Sequence, residues 1–267
     1  CSSDLLITPR TRALVVINPN NPTGAVYPRE VLEGLARLAE KHGLMVFSDE
    51  IYDGITYENT PFVPIASLVT ETLCATLSGL SKVYRAAGYR VGWVSFSGAT
   101  QRATEYLAAV ELLSSMRMCS NVPAQYTVHS ALGVYQSIKD LTSPGGRLYE
   151  SRRAVIEGVK RSKFLTLTAP AGALYAFIGV RENELPGFTD QQFALELLEE
   201  KHVLVTPGSA FNVPYRNHFR ITMLPDAATI TTVFERIEAH LESWSARHAQ
   251  PAPVNTPRLV EASGRFK

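Results

Sequence analysis

The chain has 267 residues, 45% of them hydrophobic and 19% charged, and its 26 Lys and Arg nearly balance 25 Asp and Glu for a net charge of +1. That composition excludes a disordered chain, which is poorer in apolar residues and more lopsided in charge, and it offers no basic footprint for nucleic acid or an anionic membrane. Three widely spaced Cys exclude a disulfide scaffold and point to a reducing compartment, and no apolar run approaches the roughly 18 residues of a membrane span. The chain starts Cys1-Ser2-Ser3-Asp4 without Met, a basic stretch or an apolar stretch. No secretory signal is therefore expected, and the natural N-terminus is expected to lie elsewhere.

Ala13–Ile17 (ALVVI) is a short apolar run, β-branched at three of five positions, and predicts a buried strand of a parallel sheet. It runs into Asn18-Pro19-Asn20-Asn21-Pro22-Thr23-Gly24, a loop dense in turn formers. A helix is expected next, with Pro28 at its first position, Val31, Leu32, Leu35, Leu38 and Ala39 on one apolar face, and Gly43 as its cap. Residues 44–48, 73–78 and 91–96 read as further strands. Strands alternating with helices predict an α/β fold with a mainly parallel sheet. From residue 100 to 162 the pattern is consecutive helices, broken around Asn121-Val122-Pro123 and Ser143-Pro144-Gly145-Gly146. Residues 164–222 read as short strands around one helix over 190–200. The last helix starts near Asp226 and places Ile230, Val233, Phe234, Ile237, Leu241 and Trp244 at helical spacing. From Ser245 the chain is polar and Pro-bearing and predicts a disordered tail. The change of character predicts two domains meeting near residues 120–150.

No G-x-G-x-x-G, phosphate-loop Gly-Lys pair, G-x-S-x-G or H-E-x-x-H is present, and the six His form no metal-ligand spacing, so no metal site is expected. Six other residues can carry chemistry. Asp49 follows a strand run, at the kind of strand end where open α/β sheets bind ligands, and Tyr52 is three residues on. Lys82 lies in a loop just after the 73–78 strand, where a lysine of lowered basicity can form a Schiff base. Arg90 sits between Gly88 and Gly92, and its planar fork suits a phosphate. Asn21 can donate an amide to a ligand oxygen. Arg220 interrupts the apolar strand of Phe219, Ile221 and Met223 and calls for an anionic partner, either a structural or a substrate carboxylate. Each has an ordinary reading alone: a helix cap, a surface lysine, an ion pair, an Asx turn. One cofactor asks for all of them. Pyridoxal phosphate needs a lysine, a carboxylate for its ring nitrogen, donors to its phenolic oxygen and a cationic phosphate clamp.

The motifs NPNNPTG (18–24), SDEIYDGITY (48–57) and SGLSKVYRAAGYRVGW (78–93) resemble the class I/II aminotransferases, the fold-type I pyridoxal-phosphate enzymes, in order and spacing. The intervals are 28 residues from Asn21 to Asp49, 33 to Lys82 and 8 to Arg90. The resemblance continues through RMCSNVPAQYTVHSALGVYQSI (117–138), PGGRLYESRR (144–153), PAGALYAF (170–177) and PGSAFN…HFRIT (207–222), and is most like the bacterial alanine (glutamate–pyruvate) branch. It implies the pyridoxal-phosphate transferase fold: an incomplete, mainly parallel large domain over 1–140, a smaller α+β domain over 141–246 and a disordered tail over 247–267. It implies Lys82 as the Schiff-base and catalytic residue, and Asp49 on the pyridine nitrogen. Asn21 and Tyr52 fall on the phenolic oxygen, Arg90 with Ser78 or Ser81 on the phosphate, and Arg220 with Asn21 on the substrate. The implied activity is transamination between an amino acid, alanine first, and a 2-oxo acid, 2-oxoglutarate first, by a cytoplasmic homodimer without nucleic-acid or membrane partners. An aspartate or other aminotransferase, a carbon–sulfur lyase, and the aminotransferase-like sensor domain of a transcriptional regulator are the alternatives. Two positions depart from the family pattern: Gly79 stands where many members have Ser, and Arg85 where a small or apolar residue is usual. The resemblance also implies an upstream stretch carrying a glycine-rich phosphate turn, a stacking aromatic ring and a tyrosine that reaches the partner subunit. Without it, exposed apolar sheet surface is expected.

Overall fold

A computed structural model describes Asp4, residues 6–118 and residues 120–248. Strand β1 (Ala13–Ile17) leads through the 18–24 loop to helix α1 (Arg29–His42) and strand β2 (Met45–Asp49), and β1 and β2 pair in parallel. Strand β3 (Leu73–Gly79) adds in parallel to β2, and β4 (Gly92–Gly98) adds antiparallel to β3, giving the order β1-β2-β3-β4. Pro28 stands just before α1 in extended backbone, not at its first helical position as expected, and Gly43 closes the helix at φ 62°, donating to the carbonyls of Ala39 and Glu40. Leu32, Ala36 and Ala39 of α1 meet Val16, Val46 and Cys74 on one face of the sheet. Val31, expected on that face, is exposed. The opposite face is partly open: Val15 on β1 is 71% exposed, and Leu77 and Val94, paired on β3 and β4, are exposed as well, while Ala75 on the same face is buried. Parallel strands are ordinarily covered on both sides, so this bare surface agrees with the expectation from sequence.

Helices α2 (Thr104–Ser115), α3 (Val122–Gly133), α4 (Ile138–Thr142) and α5 (Arg147–Arg161) follow. The Asn121 side chain caps α3, and residues 134–137 make a further break that the sequence pattern does not show. Strands β5 (Leu165–Leu167), β6 (Tyr175–Val180), β7 (Thr206–Pro207) and β8 (His218–Thr222) form an antiparallel sheet in the order β5-β6-β8-β7, with α6 (Asp190–Lys201) between β6 and β7. Helix α7 (Ala227–His248) is capped by Asp226, whose carboxylate accepts from the Thr229 amide at 2.8 Å. It runs past Ser245, where the sequence predicts the tail to begin; residues 249–267 lie outside the described residues. Ile230, Phe234, Ile237, Leu241 and Trp244 are buried with Phe164, Phe193 and Phe219. Gly158 lets α5 and α7 cross closely, since a Cβ there would lie 2.4 Å from the Phe234 ring. No helix among the described residues is long and apolar enough to cross a membrane.

A seat for Gly24 helps to join the two sheets. Gly24, at φ 72°, accepts at its carbonyl from the amides of Ala171 and Gly172, both at 2.8 Å. A Cβ on Gly24 would lie 2.3 Å from Pro170 and 2.7 Å from the Tyr175 carbonyl, so only glycine fits. On its other edge the 170–175 segment bonds to residues 55–57: the Tyr57 amide donates to Ala171 and the Ala173 amide to Ile55, both at 2.9 Å.

Candidate functional site

Asp49 is the last residue of β2, paired with Ile17 and Leu77, and not a residue beyond the strand as the sequence reading had it. Its Oδ1 accepts the Ile51 amide at 3.1 Å, which starts the turn after β2 and leaves Oδ2 for another donor. Tyr52 sits in that turn, buried, with its hydroxyl 2.9 Å from that of Tyr175 on β6. Burial, with the neighbouring Tyr175 and the Asp49 charge adding to it, holds the Tyr52 phenol far above its ordinary pKa, so it stays protonated. Lys82 lies on the β3–β4 connection, with Nζ 5.9 Å from the Tyr52 ring centroid. That connection is pinched at its base by the Leu80 amide, which donates to the Val91 carbonyl at 3.0 Å. Next door, Glu50 is buried and accepts from the Ser48 hydroxyl at 2.8 Å; burial raises its pKa.

Arg220 lies on β8, flanked by β6 and β7. The partner the sequence calls for is an anion, yet Arg220 forms no ion pair with a described carboxylate. Nη1 donates to Asn21 Oδ1 at 3.0 Å, across 199 residues of sequence, and Nη2 donates to Thr206 Oγ1 at 3.2 Å. The guanidinium lies 4.4 Å from the Tyr175 ring centroid and 5.0 Å from that of Phe211. Two neutral acceptors and two aromatic faces stand where a structural carboxylate would, and the charge they hold is left unneutralised. Nε is buried without a hydrogen-bond partner. A buried donor left unmade costs about 1–3 kcal/mol, so the geometry is that of a site built for an incoming acceptor. Asn21, with its Oδ1 spent on Arg220, has its amide nitrogen to offer.

The structure therefore brings Asp49, Tyr52, Lys82, Asn21 and Arg220 to one region. It places Arg90 on the same β3–β4 connection, exposed, at φ 55°, with Nη1 donating to the Ala87 carbonyl at 2.8 Å. Ser78 lies opposite Trp93 near the end of β3, and Ser81 is partly buried one residue before Lys82. Gly79 has a backbone reason: it pairs with Gly92, and a Cβ there would lie 2.8 Å from the Val91 carbonyl and 3.0 Å from Gly92 Cα. Arg85, the other departure, is at φ 55° and donates to the Ser137 hydroxyl, tying the lysine loop to the start of α4. Three residues that sequence reasoning missed belong here: Tyr175, Thr206 and Phe211. Tyr175 lay inside the PAGALY motif, but its role depends on two partners that only the fold supplies. Away from the site, Glu196, Glu200 and His240 bring ligand atoms within 4.8 Å of one another. This grouping across two helices is invisible to His spacing, and Arg247 already occupies it, 2.7 Å from Glu196.

Residues 3–237 match the family model "Aminotransferase class I and II". The chain is 46% identical over 238 residues to the glutamate-pyruvate aminotransferase AlaA of Escherichia coli, covering 89% of this chain and 59% of that protein. It is 44% identical over 238 residues to the alanine aminotransferase of Mycobacterium tuberculosis, covering 89% of this chain and 56% of that protein. An Escherichia coli aminotransferase crystal structure superposes with a TM-score of 0.88 at 42% identity, covering 91% of this chain and 63% of that one. The chain thus spans less than two thirds of the length of these relatives.

Proposed function

Because the chain belongs to the class I and II aminotransferase family, we propose that it is the lysine-bearing part of a pyridoxal-phosphate-dependent aminotransferase acting on alanine and 2-oxoglutarate. The observation that carries this is Arg220: a fixed guanidinium with a buried, unpartnered Nε, in a region shared with a lysine, a strand-end carboxylate and a protonated tyrosine. The donor set fits pyridoxal phosphate group by group. Asp49 Oδ2 would accept the ring N–H, and a carboxylate beside that nitrogen keeps it protonated. Asn21 Nδ2 and Tyr52 Oη would donate to the phenolic oxygen, and Arg90 with Ser78 or Ser81 would hold the phosphate. When bound, the cofactor supplies an electron sink for the charge that develops at the substrate's α-carbon. Arg220 grips the substrate α-carboxylate through Nε–H and an Nη–H, a fork that fixes the direction of the Cα–H bond. The Lys82 amine then moves the α-proton, as base and afterwards as acid.

Alanine is supported by the alanine aminotransferase at 44% identity, and 2-oxoglutarate, the 2-oxo acid that corresponds to glutamate, by the glutamate-pyruvate aminotransferase at 46%. A homodimer is supported by the family membership and by the exposed apolar residues Leu112 and Leu113 on α2, Met116 just after it and Tyr126 on α3, and a cytoplasmic location by the family membership alone. The division into a large domain over 1–140 and a small one over 141–246 is supported by the two separate sheets and by an apolar cluster confined to the first; the second cluster also takes in Tyr52, Ile55, Tyr57, Val83 and Ile138 from across that boundary. The test is to add pyridoxal phosphate to the purified chain and record its near-visible absorbance. A band that shifts on binding, resists dialysis and is absent in Lys82→Ala supports the reading. The same band in Lys82→Ala refutes it.

A further inference from the structure

The hydroxyls of Tyr52 and Tyr175 lie 2.9 Å apart, and either oxygen can be the donor. Both side chains are buried, and their rings meet edge to face at 5.7 Å. Each phenol has one proton and two lone pairs. The reading of the site given above, on which this inference rests, spends the Tyr52 proton on the cofactor's phenolic oxygen. Tyr52 cannot then also donate to Tyr175, so the 2.9 Å contact is kept only if Tyr175 is the donor. One further observation favours that arrangement: the positive guanidinium of Arg220 lies 4.4 Å from the Tyr175 ring centroid, where a cation draws on the ring's electron density and makes the Tyr175 hydroxyl the better donor.

We propose that Tyr175 is a positioning residue of the site: its hydroxyl donates to the Tyr52 oxygen and so turns the Tyr52 O–H toward the cofactor's phenolic oxygen, while its ring face carries Arg220. Chained hydrogen bonds polarise one another, so the Tyr52 hydrogen bond to the ligand is stronger with Tyr175 behind it than without. One side chain thereby links the cofactor end of the site to the carboxylate-binding end. It reaches both because β6 pairs with β8, with Tyr175 opposite Thr222, two positions from Arg220.

The test is a titration of the bound cofactor's absorbance band in four proteins: wild type, Tyr175→Phe, Tyr52→Phe and the double variant. A donor to the phenolic oxygen lowers the basicity of the adjoining nitrogen on the cofactor, so Tyr175→Phe raises the pH midpoint of the band by roughly 0.5 to 1 unit, the equivalent of one net hydrogen bond. In the Tyr52→Phe background the same substitution moves the midpoint by less than about 0.2 unit, because the link it acts through is gone. Tyr175→Phe keeps the ring over Arg220, so the KM for the amino acid holds within about twofold while kcat falls. Tyr175→Leu, which removes the ring, raises KM as well. A Tyr175→Phe midpoint unchanged from wild type overturns the proposal, and so does an equal shift in both backgrounds, which is the mark of a merely structural role. A wild-type chain that shows no band overturns the functional reading, and this inference with it.

Discussion

Arg152 offers a prediction in which burial, not the ion pair, decides the size of the effect. Its side chain is 6% exposed, whereas that of its partner Glu58 is 58% exposed. Nε donates to the Pro170 carbonyl at 2.6 Å, Nη1 and Nη2 reach the two Glu58 oxygens at 2.9 and 3.3 Å, and the guanidinium lies 5.3 Å from the Tyr57 ring centroid. Arg152→Met keeps most of the apolar volume but leaves the Pro170 carbonyl without its donor, at about 1–3 kcal/mol, and removes the cation from the Tyr57 face, at about 0.5–1 kcal/mol. A loss of about 3 kcal/mol corresponds to roughly 6–12 °C in Tm for a chain of this size. Glu58→Gln removes a charge from solvent-screened surroundings and keeps an acceptor for Arg152, so it costs under about 1 kcal/mol. Melts of the three proteins by circular dichroism at pH 7 check the order. If Glu58→Gln destabilises as much as Arg152→Met, the ion pair dominates and the reasoning fails. Because Pro170 begins the segment that seats Gly24 and leads to Tyr175, Arg152→Met is also the more damaging change for cofactor binding.

Gly79→Ser restores the residue many family members carry, and in an ordinary strand loss of a glycine stabilises by about 0.4–1 kcal/mol. Here the added Cβ meets two backbone groups, Val91 O and Gly92 Cα, so a destabilisation of about 1–3 kcal/mol is expected with no gain in cofactor affinity; a raised Tm would contradict it. His240 is buried between Glu196 and Glu200, beside Arg247 and the rings of Phe193 and Trp244, and burial lowers its pKa below 6.5. The fold prefers the neutral imidazole, so this contribution is complete above 6.5 and is lost as pH falls through the lowered folded pKa. Urea unfolding between pH 7 and 5 should fall less steeply for His240→Gln than for wild type, and equal slopes would remove His240 from the account.

Local chemistry made the strand-end part of the site legible. The ALVVI run, the Pro- and Asn-rich loop and the residue order Asp49, Tyr52, Lys82 each announce themselves within a few positions, and the strands they predict form within about two residues of the expected bounds. Gly43 closes α1 for the same reason that it could be read: only glycine reaches the left-handed region without strain. What could not be read depends on pairing across the chain. The antiparallel return of β4 is set by the Gly79–Gly92 close approach, which a strand pattern does not encode. The neutral surroundings of Arg220 are not legible in sequence, because β7 and the 208–211 turn bring Thr206 and Phe211 to it, and neither residue carries a signature of its own.

Neither sheet holds the site alone, and this decides which substitutions disturb it. Asp49, Tyr52 and Lys82 belong to the first sheet and its loops, and Tyr175, Thr206 and Arg220 to the second. The distance between the groups is set where Gly24 takes two amides from the 170–175 segment, three residues beyond Asn21 and three before Tyr175. Asn21 reaches Arg220 at 3.0 Å from that anchored loop, and Tyr175 reaches Tyr52 at 2.9 Å from the anchored strand. A substitution at the seat therefore displaces both contacts together, while one at an outlying residue such as Arg90, held by its own loop, leaves them in place.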